Sequence, residues 1–186
     1  MVYKDSNFNN VFWKFSLGFY DRPKVASRLI SLQDDLGVNV NLVLCCFWSA
    51  DRGFSVLTQQ VISDLNVIVE DWNSLVVKPL RSVRLGIKHL QSDKYKEIRE
   101  KIRSNTKDLE LSTEQFEQMI IYDYLNTNTG SSALSVQDKM EIAKSNLFSY
   151  LGFLKLNTRA DSEMLDELLD SFRKFLQNFT KFCRFL

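Results

Sequence analysis

Residues 12–53 decide the fold of this 186-residue chain, and they read FWKFSLGFYDRPKVASRLISLQDDLGVNVNLVLCCFWSADRG. The phenylalanines three and four positions apart fall on one helical face, which predicts a first helix from about Asn10 to Tyr20. Leucine and valine then recur at the same spacing after Pro23, a residue that fits the first turn of a second helix. Gly37 can supply the left-handed conformation that ends this second helix.

The last third of the stretch is its most apolar part. Asn39 is a suitable N-cap, and the run from Val40 to Ala50 is apolar nearly all round, which predicts a third and central helix. Along the whole chain apolar residues recur at helical spacing, whereas sustained alternation of apolar and polar residues is nearly absent. The sequence therefore predicts an all-α fold.

The same spacing predicts further helices along the rest of the chain. Four of them run from Ser55 or Thr58 to Trp72, from Leu75 to His89, from Ser112 or Thr113 to Tyr124, and from Asp161 to Phe182. Another begins at Ser135, which forms a capping signature with Asp138. Pro79 either starts the fifth helix or kinks it. The segment 93–110 alternates charges three or four residues apart, which is typical of a solvated helix face.

We expect these helices to form a single bundle of seven to eight helices over residues 1–186. The loop at residues 126–134 marks the alternative boundary, between a unit of residues 1–125 and a C-terminal helical hairpin of residues 135–186.

The composition indicates a soluble globular protein, with 45% hydrophobic and 25% charged residues. A formal net charge of +1 excludes a general attraction to nucleic acid or anionic lipid. The adjacent Cys45 and Cys46 in an apolar run, with Cys183 near the end, favour reduced thiols and a cytoplasmic location. Neither a secretory signal nor a membrane-spanning segment is predicted.

A cluster of polar residues around the second interhelix turn is the first candidate site. It comprises Gln33, Asp34, Asn39 and Asn41, and a buried amide such as that of Asn41 costs about 1–3 kcal/mol if it finds no partner. One interpretation is that Gln33, Asp34 and Asn41 converge on a ligand. The favoured alternative is that they hydrogen-bond the free backbone groups of the tight 36–40 turn.

A stripe of basic residues is the second candidate. Lys78, Arg81, Arg84 and Lys88 occur without an intervening acid, and the last three share a helical face that could bind phosphate or a nucleic-acid backbone. The alternative is intramolecular neutralisation by Asp34 and Asp35, or by the acidic residues Asp108, Glu110, Glu114, Glu117 and Asp123, and we consider this alternative better supported.

Two features near the C-terminus have a functional and a structural interpretation. The acids of 166–170, DELLD, could bind magnesium, but an exposed helix start explains them better. An aromatic stripe could bind a partner, but packed core is the favoured interpretation. The stripe comprises Phe172, Phe175, Leu176, Phe179 and Phe182.

No set of residues predicts a reaction. His89 is the single histidine, and no zinc spacing, phosphate loop or dinucleotide fingerprint occurs. Apolar neighbours would also suppress ionisation of Cys46. No cofactor, metal or catalytic residue is therefore predicted.

The N-terminal half carries a spaced pattern of aromatic, polar and basic residues. The pattern consists of Phe12, Trp13, Phe15, Tyr20, Pro23, Val25, LQD at 32–34, Gly37, Val40, Asn41, Leu42, Leu44, Trp48, Trp72, Pro79, Leu80, Arg81, Arg84 and Lys88. In this pattern the chain resembles an uncharacterised bacterial family of conserved hypothetical proteins, a domain of unknown function. The resemblance implies a bacterial cytosolic helical domain and implies no activity, cofactor or catalytic residue.

From these observations we expect a non-catalytic domain whose partner is another protein. The alternatives are a small-molecule or phosphate-binding enzyme with a site at Asp34, Asn41, Arg81 and Arg84, and a weak nucleic-acid binder. The oligomeric state is open.

Overall fold

The computed structural model describes residues 8–90, 93–128, 130, 132–156 and 162–182. These residues form eight α-helices and no β-strand, which confirms the all-α prediction. The helices are α1 (Val11–Tyr20), α2 (Val25–Leu36), α3 (Val40–Asp51), α4 (Gln59–Trp72), α5 (Lys78–His89), α6 (Lys96–Asn128), α7 (Val136–Phe153) and α8 (Ser162–Phe182). A π-helical turn, Asn73–Val77, joins α4 to α5 without a break, so the eight segments form seven separate rods.

The predicted helix signals in the N-terminal third lie where the sequence indicates, with one exception. Asn39 caps α3, and Gly37 ends α2 with a φ of 69°. Helix α2 begins at Val25, after Lys24 in a left-handed conformation, so Pro23 lies in the preceding turn and not in the first helical turn. Outside the N-terminal third, helix α7 also begins as predicted, with the capping box of Ser135.

The prediction of a separate helix that begins at Ser112 or Thr113 is wrong. Helix α6 continues through these residues for 33 residues in all. The Ser112 hydroxyl donates to the carbonyl of Asp108 at 2.9 Å, and the Thr113 hydroxyl donates to the carbonyl of Glu110 at 2.7 Å. Both side chains therefore bond backward within a continuous helix and do not cap a new one.

Pro79 lies at the start of α5, directly after the π-helical turn. A proline ring clashes with the carbonyl four residues earlier in a regular α-helix, and the wider turn relieves this clash without ending the rod. The same turn places Asn73 in the interior.

The core forms around α3, which packs on α1, α2, α6 and α7. The ring centroids of Phe12 and Trp48 lie 4.7 Å apart, and those of Phe47 and Phe172 lie 5.1 Å apart. Helix α8 therefore contributes to the same aromatic cluster as α1 and α3. Of its predicted stripe, Phe172, Phe175 and Leu176 are buried, whereas the side chains of Phe179 and Phe182 and all of Cys183 lie outside the described residues.

One part of the structure contributes nothing to the core. Between residues 78 and 109, none of the described side chains is buried. This region consists of α5 and the first half of α6, which pack against each other. We call it the helical arm. In the described residues, no helix combines the length and apolar character needed to cross a membrane.

Candidate functional site

The polar residues of the α2–α3 turn are organised by Asn39. Its Oδ1 accepts hydrogen bonds from the backbone N–H of Asn41, at 2.8 Å, and of Leu42, at 3.4 Å. Its own backbone N–H donates to the hydroxyl of Tyr150 at 3.1 Å, and its Nδ2 donates to Glu117. Asn39 therefore caps α3 and also ties it to α6 and α7.

Glu117 is a fully buried carboxylate in the middle of α6. Besides Asn39, Asn73 donates to it from the π-helical turn, with Nδ2 3.1 Å from Oε2 and 3.4 Å from Oε1. Burial raises the pKa of Glu117, and the hydrogen bonds from the two asparagines oppose this rise. The interior thus stabilises this carboxylate with neutral amide donors.

Asn41 also finds its partners on α6. Its Oδ1 accepts from Gln118 at 2.8 Å, and its Nδ2 lies 3.5 Å from the backbone carbonyl of Glu114. The other end of the Gln118 amide accepts from the hydroxyl of Ser16 on α1, at 2.9 Å. We call the connected side chains of Ser16, Asn39, Asn41, Asn73, Glu117 and Gln118 the polar network.

Two of the predicted basic residues, Arg81 and Arg84 on α5, both meet Glu110, which precedes Glu117 by about two turns of α6. Arg81 donates to Asp34 at 2.9 Å and lies 3.7 Å from Glu110. Arg84 forms two hydrogen bonds to Glu110, one of them from its Nη2 at 3.0 Å. Glu110 is only 4% exposed, and its hydrogen bonds with Arg84 raise the pKa of the Arg84 guanidinium. We call these four residues the arginine cluster.

Glu114 lies between the polar network and the arginine cluster. Burial, followed by repulsion from Glu110, raises its pKa to about 7, and attraction to Arg81 opposes the rise. Tyr20, at the end of α1, has a pKa raised by burial and then by the charge of Glu114. The arrangement therefore places a carboxyl group that exchanges protons near neutral pH beside a tyrosine and an arginine.

The structure thus brings four of the seven predicted site residues into contact with α6. Arg81 and Arg84 meet Glu110, and Asn39 and Asn41 belong to the polar network. Asp34, on α2, meets Arg81 and has no contact of its own with α6 among the described hydrogen bonds and ion pairs. Lys88 is solvent-exposed, and Gln33 is half-buried, its carbonyl accepting from the N–H of Gly37 in the helix C-cap.

The sequence indicated Glu110, Glu114 and Glu117 only as possible counter-charges to the basic stripe, and it did not indicate Tyr20 or Asn73 as site residues. The series of acids at positions 110, 114 and 117 falls on one helical face, which was the available signal for two of the buried carboxylates. Nothing local indicated which side of this charged helix faces the interior.

The other chemical candidates have structural roles or unsuitable surroundings. Glu167 of the DELLD segment pairs with Arg28 and Lys24, which lower its pKa to about 2. No group of three histidine, cysteine or acidic side chains in the described residues is arranged to hold a metal ion. Burial raises the pKa of Cys46 to about 12, which opposes thiolate formation.

A groove between α7 and α8 has a volume of about 420 Å³. It is lined by Gln137, Met140, Glu141, Lys144, Asp166, Leu169, Asp170 and Arg173. None of these residues belongs to the polar network or the arginine cluster. The groove therefore does not give access to Glu114.

These features define an all-α protein in which polar residues join α6 to four other parts of the fold. Residues 11–121 match the family described as "Protein of unknown function (DUF2390)", and because this match covers more than half of the chain, the chain belongs to that family. No curated protein and no solved structure matches the chain. The family region includes both clusters on α6 and the whole helical arm, and it ends before α7 and α8.

Proposed function

We propose that this protein is a non-catalytic domain of the bacterial cytoplasm that acts by binding another protein through its helical arm. The observation that carries this proposal is the lack of any buried side chain between residues 78 and 109 among those described, although the segment contains many apolar residues. The adjacent buried thiols of Cys45 and Cys46 support a reducing compartment.

The energetic argument starts from what usually stabilises helices. Helices in proteins derive most of their stability from packing an apolar face, which the arm does only between its own two helices. Yet Ile98, Ile102 and Leu109 are each more than half exposed. Apolar side chains that cluster on the surface of a globular protein are characteristic of binding sites, since covering them releases their hydration water.

The predicted enzyme alternative has one observation in its favour. Asn41, Arg81 and Arg84 lie along α6 close to Glu114, whose carboxyl group titrates near neutral pH. Asp34 joins this group through its ion pair with Arg81. Against it, both arginines already hold carboxylates, so an incoming phosphate would have to displace Asp34 or Glu110. A nucleic-acid role has less support, because Lys78 and Lys88 are the two exposed bases of the stripe.

Site-specific photo-cross-linking in intact cells tests the proposal. A photoreactive residue at Ile98 or Ile102 should give a discrete cross-linked protein band. The matched control is Val67, which is 69% exposed on α4 and lies outside the arm. Equal cross-linking at Val67, or none at the arm, would contradict the proposal.

An activity screen tests the alternative directly. Turnover of a metabolite that Asp34→Ala abolishes, while the circular dichroism spectrum stays native, would overturn the non-catalytic assignment.

A further inference from the structure

The exposed apolar residues of α6 follow the spacing of a two-helix seam. Ile98, Ile102, Asn105, Leu109 and Ser112 succeed each other at alternating intervals of four and three residues. This is the a/d pattern by which one helix packs along another. Ile98 is 63% exposed, Ile102 52% and Leu109 53%, so none of the residues that the structure describes covers the seam.

The direction of the seam leaves room for another helix. At 100° per residue, the seam lies about a quarter turn from the side of α6 that carries Arg99, Arg103 and Glu110. That second side faces α5, since Arg84 binds Glu110 and Arg99 donates to the carbonyl of Leu90. Helix α5 therefore lies beside the seam and does not cover it, and neighbouring helices at such angles are the arrangement of a four-helix bundle.

The charges beside the seam indicate what covers it. Lys101 and Asp108 flank the seam on the side away from α5, at equivalent positions seven residues apart. Both are exposed, and neither side chain forms an ion pair with any other described residue. In an antiparallel pair of identical helices, residues at this flanking heptad position lie opposite residues at the same heptad position of the second helix.

One antiparallel alignment of two copies pairs Lys101 with Asp108 while the seam residues face each other. If Ile98 of one copy lies opposite Leu109 of the other, then Lys101 of each copy meets Asp108 of the other, and two ion pairs form. Shifting the register by seven residues in either direction brings like charges together, either two copies of Lys101 or two of Asp108. A second copy of this chain is therefore complementary to the seam.

We propose that the protein self-associates through an antiparallel pairing of α6 with α6 of a second copy, so that the two arms form a four-helix bundle. This inference rests on the proposed function and names the partner. The seam is short and contains the polar Asn105, which lowers stability while it favours one register. The dimer is therefore weak and reversible rather than permanent.

Sedimentation velocity over a concentration range from micromolar to millimolar tests the pairing. The wild type should shift from monomer to dimer, and Ile102→Asp should weaken association about tenfold or more by placing two carboxylates near the axis. The control Val67→Asp introduces the same charge at an exposed apolar position outside the arm, and it should have no effect. Circular dichroism and thermal melting should show native folding for both variants.

Charge reversal tests the register. Lys101→Asp and Asp108→Lys should each weaken the dimer about fivefold, because each places like charges together at two equivalent positions. The double variant should restore it, and an equimolar mixture of the two single variants should associate more tightly than either alone. Failure of both rescues would overturn the antiparallel register.

The outcomes separate this inference from the proposed function. A wild type that remains monomeric at every concentration overturns self-association. If, in that case, Ile102 still cross-links to a different protein in cells, the interaction function stands and only the identity of the partner is wrong. If neither is found, both proposals fail.

Discussion

The most direct test of the electrostatics around α6 is Glu114→Gln. The side chain is half-buried between the polar network and the arginine cluster, and burial raises its pKa to about 7. The folded state therefore holds this proton more tightly than the unfolded chain does. The free energy of unfolding should consequently fall as the pH rises from the ordinary glutamate value of about 4.3 through about 7, and then stay low.

The size of the effect follows from the same two values. A difference from about 4.3 to about 7 corresponds to at most about 4 kcal/mol of stability lost when the carboxyl group is ionised. Glutamine has the same shape and no titration. At pH 8 we therefore expect Glu114→Gln to stabilise the protein by about 1–3 kcal/mol, whereas at pH 4 the two proteins should differ little.

Urea unfolding followed by circular dichroism at both pH values measures this difference. Glu117 also has a raised pKa, but it is present in both proteins and its contribution largely cancels in the comparison. The control Glu97→Gln removes the same charge from an exposed position on α6 and should give no pH-dependent gain. An equal effect of Glu114→Gln at pH 4 and pH 8 would refute the reasoning, because it could not arise from ionisation.

Three further substitutions test other parts of the fold by the same unfolding measurement. Glu117→Ala should destabilise by about 2–4 kcal/mol, because it leaves the amides of the buried Asn73 and the half-buried Asn39 without their acceptor; a loss below 1 kcal/mol would mean that water replaces it. Gly53→Ala should cost about 1–3 kcal/mol from its φ of 74° alone, and its Cβ would lie 1.9 Å from the carbonyl oxygen of Ser132. The control Gly86→Ala, in open space on α5, should instead stabilise by about 1 kcal/mol. Phe172→Ala should cost about 3–5 kcal/mol, and if the chain is one domain, as we propose, probes of α1 and of α8 should report one shared transition.

The sequence predicted the elements that depend on neighbouring residues. Gly37, Asn39 and Ser135 act through backbone groups within three or four positions, so their roles are visible in the local pattern. The error in α6 has the same origin. Serine and threonine commonly cap helices, and only the backward bonds of Ser112 and Thr113 show that this helix continues.

The polar network could not be predicted in this way, because its contacts join residues far apart in the chain. Glu117 meets Asn73 across 44 positions and Asn39 across 78. No spacing rule connects such residues. The sequence could show only that an amide at Asn41 would need a partner, and it left the partner on α6 unidentified.

The distribution of polar contacts along α6 explains how a surface helix can be both anchored and available. From Glu110 onward the helix is held by ion pairs, by the polar network and by the indole N–H of Trp72, which donates to the carbonyl of Thr113 at 2.9 Å. Hydrogen bonds and ion pairs require defined directions, so they fix the rotation of the helix about its axis more strictly than apolar packing does. Because an α-helix is rigid over this length, the same rotation is imposed on the N-terminal half. The buried polar residues would therefore aim the seam of Ile98, Ile102 and Leu109 toward solvent, so Glu117→Ala should weaken self-association as well as stability, even though Glu117 lies outside the proposed interface.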